Sequence, residues 1–95
     1  MNNFEIYETV KEFDIYVGDL SEDVVKARIS KLTPKKGEPE MYFWFISHFY
    51  KPEKNAIDVY IPSKNYAISY EEVKDLLMKY VNGFTGIDVK RNKNF

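Results

Sequence analysis

Leu20-Ser21-Glu22-Asp23-Val24-Val25-Lys26-Ala27-Arg28-Ile29-Ser30-Lys31-Leu32 is the stretch on which the fold turns. Leu20, Val24 and Ala27, joined by Val25, Ile29 and Leu32, recur at three- and four-residue intervals and would form one apolar face of a helix. Asp19 or Ser21 can cap its start, with Glu22 and Asp23 at the positive end of the helix dipole. Pro34 and Gly37 end it, and Lys31 falls in the last turn, where a cation is favoured. The spacing predicts a helix over 20–32.

A second helix follows from stronger local signals. Ser69 precedes Tyr70-Glu71-Glu72-Val73, a capping box with Ile68 and Val73 at the flanking apolar positions. Val73, Leu76, Leu77, Tyr80, Val81 and Phe84 then line one stripe, and Asn82-Gly83 supplies a left-handed stop. Between and around the helices, Phe13–Val17, Met41–Tyr50, Ile57–Ile61 and Ile87–Lys90 read as strands from their alternation and β-rich composition. Residues 4–10 fit an extra strand or a bulged extension of the first one, because the alternation changes phase between Val10 and Phe13. The order strand, helix, strand, strand, helix, strand is that of an α+β, ferredoxin-like split βαβ fold. It predicts a four-stranded antiparallel sheet with two helices on one face, in a single domain over 1–95 whose residues 91–95 fray.

Composition agrees with an ordered domain. The chain has 95 residues, 44% of them hydrophobic and 17% aromatic, which excludes disorder. With no cysteine there is neither a disulfide scaffold nor a thiolate metal cluster. No apolar run is long enough to span a membrane, and the N-terminus lacks a secretory pattern, so a cytoplasmic protein without a membrane partner is expected. The net charge of −1 hides a split: residues 1–23 sum to −6 and residues 24–36 to +5. Lys26 and Arg28 in that basic stretch diverge around the expected helix and make no single stripe for phosphates.

Alternation also assigns the sheet faces. Phe13, Ile15, Val17, Met41, Phe43, Phe45, Phe49, Ile57, Val59, Ile61, Ile87 and Val89 are expected under the helices. The open face is then expected to carry Asp14, Tyr16, Tyr42, Trp44, Ile46, His48, Tyr50, Asp58, Tyr60, Asp88 and Lys90. Aromatic rings with polar tips among carboxylates mark an interaction surface. In the usual strand order of this fold, Met41–Tyr50 is an edge, long, apolar and open to pairing with another chain.

Ile15-Tyr16-Val17-Gly18-Asp19-Leu20 resembles the short first-strand motif of RNA-recognition-motif domains. In that family the aromatic on this strand stacks a base, and the resemblance implies that role for Tyr16, with Tyr60 and strand 41–50 beside it. The match departs at Asp19, where the family commonly has asparagine. The family's second motif is missing from the strand around Tyr60, where Asp58 would repel phosphate.

Catalytic patterns are sparse. His48 is the lone histidine, and Ser47, adjacent in a strand, is expected to point to the other face. No nucleophile elbow or glycine-rich phosphate loop occurs. Asp14, Asp58 and Asp88 could gather as hard-cation ligands of a metal-dependent nuclease, but they read more simply as charges that deter wrong pairing. No cofactor, no metal and no catalytic residue are therefore expected. The leading expectation is a small non-enzymatic protein-binding module, an inhibitor, immunity-type or accessory protein. It would bind a protein partner or a second copy through Tyr16, Tyr42, Trp44, His48, Tyr50, Asp58 and Tyr60 and the edge at 41–50. A single-stranded RNA- or DNA-binding domain is the alternative and a nuclease the third.

Overall fold

Val25-Lys26-Ala27-Arg28-Ile29 alternates as well as it spirals, and in the computed structural model it is a strand. The structure describes residues 5–17, 24–52, 55–84 and 89–95. Among these the order is β1 (Tyr7–Ile15), β2 (Val25–Leu32), β3 (Met41–Ile46), β4 (His48–Tyr50), β5 (Tyr66–Ala67), α1 (Tyr70–Val81) and β6 (Val89–Arg91). β1, β2, β3 and β5 form an antiparallel sheet in that spatial order, and β4 pairs with β6 in a two-stranded one. The two-helix ferredoxin-like plan is overturned: six strands and one helix occupy the described residues. The physical reason lies in the neighbours of β2. As a strand it exchanges backbone hydrogen bonds with β1 on one side and β3 on the other, and its β-branched Val25 and Ile29 suit a pleated surface. The expected caps Asp19 and Ser21 lie outside the described residues.

The register fixes the faces. Ile29 stands opposite Lys11 and Trp44, and Ala27 opposite Phe13 and Ile46. Val25, Ala27, Ile29, Trp44, Ile46 and Ala67 are buried together with Val73, Leu77 and Tyr80 of α1. The expected face assignment is therefore inverted on β3. Trp44 is 2% exposed beneath α1, while Phe43 and Phe45 emerge on the far side with Arg28 and Ser30 as their partners. β3 is also an interior strand, so Met41–Tyr50 is not the edge. It breaks at Ser47, where β4 leaves the main sheet to meet β6.

Among the described residues the long free edge is β1. Its register shifts between Thr9 and Lys11, placing a bulge at Val10, which is the bulged extension considered for residues 4–10. Because of that shift, Tyr7 and Thr9 share the open face with Leu32 and Ser30, whereas Lys11, Phe13 and Ile15 face the helix side. Glu8, Lys11, Glu12 and Asp14 along this edge, together with the bulge, resist pairing with a foreign strand.

α1 follows its sequence signals. Ser69 is the N-cap, its Oγ accepting the Glu72 N–H at 3.2 Å, and Glu71 and Glu72 occupy the first turn. Two details differ. Ile68 is 65% exposed and does not close over Val73, and the C-cap Asn82 is right-handed with no left-handed Gly83 after it. Gly83 is needed for space: a Cβ there would collide with the Tyr50 ring. Residues 57–61 are not a strand either. Ile57 is fully exposed, and only Tyr60 forms a bridge, to Tyr50. The chain after β6 is tied down: the Asn92 N–H donates to Ser47 O at 2.7 Å and its side chain donates to Ile46 O at 2.9 Å. Among the described residues no helix is long and apolar enough to cross a membrane.

Candidate functional site

Phe43 and Phe45 leave β3 on the side away from α1 and stack with ring centroids 6.4 Å apart and planes at 16°. Tyr7, delivered to this face by the bulge, meets them edge-on at 5.5 and 6.5 Å. Tyr66 of β5 lies 6.2 Å from Phe43 and extends the row to the other edge. At the opposite end the Arg28 guanidinium sits 4.8 Å from the Phe45 centroid and 4.5 Å from that of Phe95. The Lys64 ammonium lies 5.8 Å from the Tyr66 ring. Rings and cations thus form one ribbon across the sheet, with each cation–π contact contributing on the order of 0.5–2 kcal/mol. Tyr7, Tyr66 and Phe95 remain 46%, 45% and 39% exposed.

The charges on this face nearly balance. Glu12 stands opposite Arg28 and Asp14 opposite Lys26. The Tyr7 hydroxyl donates to Glu5 Oε2 at 2.8 Å, and that hydrogen bond raises its pKa above the ordinary tyrosine value. On the helix side, near the β2–β3 turn, Lys31 Nζ and Glu40 Oε1 pair at 3.1 Å, which raises the lysine pKa.

The residues singled out from sequence mostly lie elsewhere. Trp44, Tyr50 and Tyr60 are brought together, but around Tyr80 on the helix side, at centroid distances of 5.5, 4.7 and 5.5 Å from its ring. The Tyr80 hydroxyl donates to the Tyr60 carbonyl and accepts the Tyr50 N–H at 3.4 Å. Burial pushes the hydroxyls of Tyr80 and Tyr50 up from the ordinary value. Tyr42 packs against Tyr70 of α1 at 6.4 Å. Tyr16, the residue of the RNA-recognition resemblance, is 79% exposed just beyond the end of β1 and joins no ring of the ribbon. Asp58 is exposed in the loop after β4, its Oδ1 accepting the Val59 N–H at 2.8 Å. Asp14 is on β1, and Asp88 lies outside the described residues. Among the described residues no three acidic or imidazole side chains are gathered to hold a metal.

His48 is buried rather than presented on the open face, and Ser47 does not point away from it. The bend between β3 and β4 turns Ser47 Oγ onto His48 Nδ1 at 2.7 Å, while the same oxygen accepts the Lys26 N–H at 2.8 Å. A serine oxygen can accept twice and donate once, so this contact serves either ring tautomer, the hydrogen lying on Nδ1 or on the hydroxyl. This pair holds the turn.

Sequence reasoning missed Tyr7, Phe43, Phe45, Tyr66 and Phe95 as members of this surface, and it placed Arg28 on a helix rather than beside them. A signal for them existed: β2 alternates aliphatic Val25, Ala27 and Ile29 with long cationic Lys26 and Arg28. Any strand paired with it must place one of its two aromatic sets beside those cations. No protein-family model, no curated protein and no solved structure matches this chain.

Proposed function

We propose that the chain is a small non-enzymatic protein-binding module, of inhibitor, immunity or accessory type, that docks through the sheet face opposite α1. What carries this reading is the ribbon Tyr66–Phe43–Phe45–Arg28–Phe95 with Tyr7 beside it, lying on a face that no described element covers. Contiguous exposed rings of this kind mark interaction surfaces, and Tyr and Arg are favoured anchors in them. The occupant is a different protein, presenting an apolar centre and carboxylates placed to meet Arg28 at one end and Lys64 at the other. Glu12 and Asp14 on the same face argue against a nucleic-acid backbone. The charged, bulged β1 edge argues against strand addition.

The test is capture from the native host, followed by titration of the purified captured protein against single variants. Phe45→Ala and Arg28→Ala are expected to abolish that binding while circular dichroism stays native, and Tyr16→Ala to leave it intact. Binding that survives both ribbon substitutions, or a ribbon occupied by a second copy in sedimentation, overturns the reading.

A further inference from the structure

At one end of the same sheet, beyond the ribbon, a cavity of about 270 Å³ lies between the start of β2, the Ser47 bend and the chain after β6. Lys26, Arg91 and Lys93 line it, Phe95 borders it, and buried Ser47 and His48 form its inner wall. No Asp or Glu side chain is among its lining residues, and none of the three cations forms an ion pair within 4 Å among the described residues. We propose that this cavity binds the phosphate group of a small phosphorylated ligand.

Three features support the assignment. Three cations of different origin, one on β2 and two on the C-terminal segment, line one concavity that no Asp or Glu side chain borders, which favours an anion as its occupant. Their backbone is held in place. Asn92 between Arg91 and Lys93 is pinned by its N–H to Ser47 O at 2.7 Å and its side-chain amide to Ile46 O at 2.9 Å, and its Oδ1 accepts the Asn94 N–H at 3.0 Å. The Lys26 N–H is committed to Ser47 Oγ, so the segment bearing the third cation is fixed by the same turn. Such a site needs little reorganisation to receive an anion. Size then limits the ligand. The volume lies below the usual range of drug-sized pockets, and the adjoining cavity is bordered by Glu12 and Asp14. A long polyphosphate backbone running past the site would meet those carboxylates, whereas a single phosphate with a few attached atoms would not.

Inorganic phosphate, glycerol phosphate and a single-stranded oligothymidylate are the probes, each titrated at constant ionic strength while the amide signals of Ser47, His48 and Asn92 are followed. Saturable shifts at these three positions with inorganic phosphate or glycerol phosphate are expected, the stronger of the two showing whether the free anion or its ester is the natural form. Lys26→Ala/Arg91→Ala, and separately Lys93→Ala, should bind at least about ten-fold more weakly, as expected for a lost charge-assisted hydrogen bond. Lys79→Ala, on α1, should bind as the parent does. Absent shifts, equal binding in Lys93→Ala and the parent, or tighter binding of the oligonucleotide than of glycerol phosphate overturns the proposal.

Discussion

On the helix side of the sheet, Trp44, Tyr50, Tyr60 and Tyr80 pack ring against ring, and the polar atoms of Trp44 and Tyr80 are used. The indole N–H donates to Lys64 O at 3.2 Å, the Tyr80 hydroxyl joins the Tyr60 carbonyl, and no buried side-chain polar atom among the described residues lacks a partner. On the far side, Phe43 and Phe45, which carry no polar atom, remain only half-buried. Trp44, Tyr50 and Tyr80 are inside although their rings carry polar atoms, whereas two rings with nothing to offer water are left half-covered. A polar tip therefore does not mark an aromatic as a surface residue when the fold supplies its acceptor. The half-buried phenylalanines are the ones that need another explanation, and a docking surface is the one put forward above.

Neighbouring residues on one strand give the largest test of that contrast. Trp44→Ala should lower stability by about 3–5 kcal/mol, the usual range for a buried aromatic. Phe45→Ala should cost less than half as much in the same denaturant titration. Trp44 emission should be blue-shifted in the isolated chain and should not move when the opposite face is occupied. Equal losses at 44 and 45 would break the distinction between the faces.

Gly83→Ala probes the same inner cluster from the helix end. The added methyl must displace the Tyr50 ring, an overpacking that costs roughly 1–3 kcal/mol, and the thermal midpoint should fall accordingly. Wild-type stability at that position would mean that Tyr50 does not press on the helix terminus.

Alkaline titration sharpens the comparison further. Tyr80 and Tyr50 have hydroxyl pKa values raised by burial, so the folded chain favours their neutral forms. Their contribution is fully present below the unfolded tyrosine pKa of about 10 and is lost as pH rises above it. The denaturant midpoint should fall from about pH 10 upward, and Tyr80→Phe should flatten that decline. The smallest effect belongs to the helix start: Ser69→Ala should cost about 1 kcal/mol and leave binding at the open face unchanged.

The contrast between α1 and β2 shows what was legible in the sequence. The signals of α1 are local: the Ser69 cap lies beside its turn, and Val73, Leu77 and Tyr80 repeat at helical spacing. In β2, Val25, Ala27 and Ile29 satisfy a two-residue period while the same segment also satisfies a helical one. What decides between them is the pairing with β1 and β3, contacts distant in sequence that no local pattern contains. The error then spread to the candidate site. Met41, Phe43 and Phe45 are as apolar as Tyr42, Trp44 and Ile46, so alternation within β3 cannot say which set faces inward. Once β2 is assigned to a helix, the strand whose Arg28 marks the outer face is missing. An exposed aromatic face was legible as an expectation, but its membership was not.

The bulge at Val10 has a consequence for how this chain can change length. Thr9 pairs with Ser30 and Lys11 with Ile29, so Val10 is the supernumerary residue of β1, with no cross-strand partner of its own. Its deletion leaves every remaining pair in register and keeps Tyr7 opposite Leu32 on the ribbon side. Deleting Glu12 instead can be absorbed only by pairing Val10 with Ile29 and Lys11 with Arg28, which exchanges the faces of Val10 and Lys11. Descendants of this sequence can thus shorten β1 by one residue at position 10 without moving the aromatic ribbon, and the bulge marks where such an indel is tolerated.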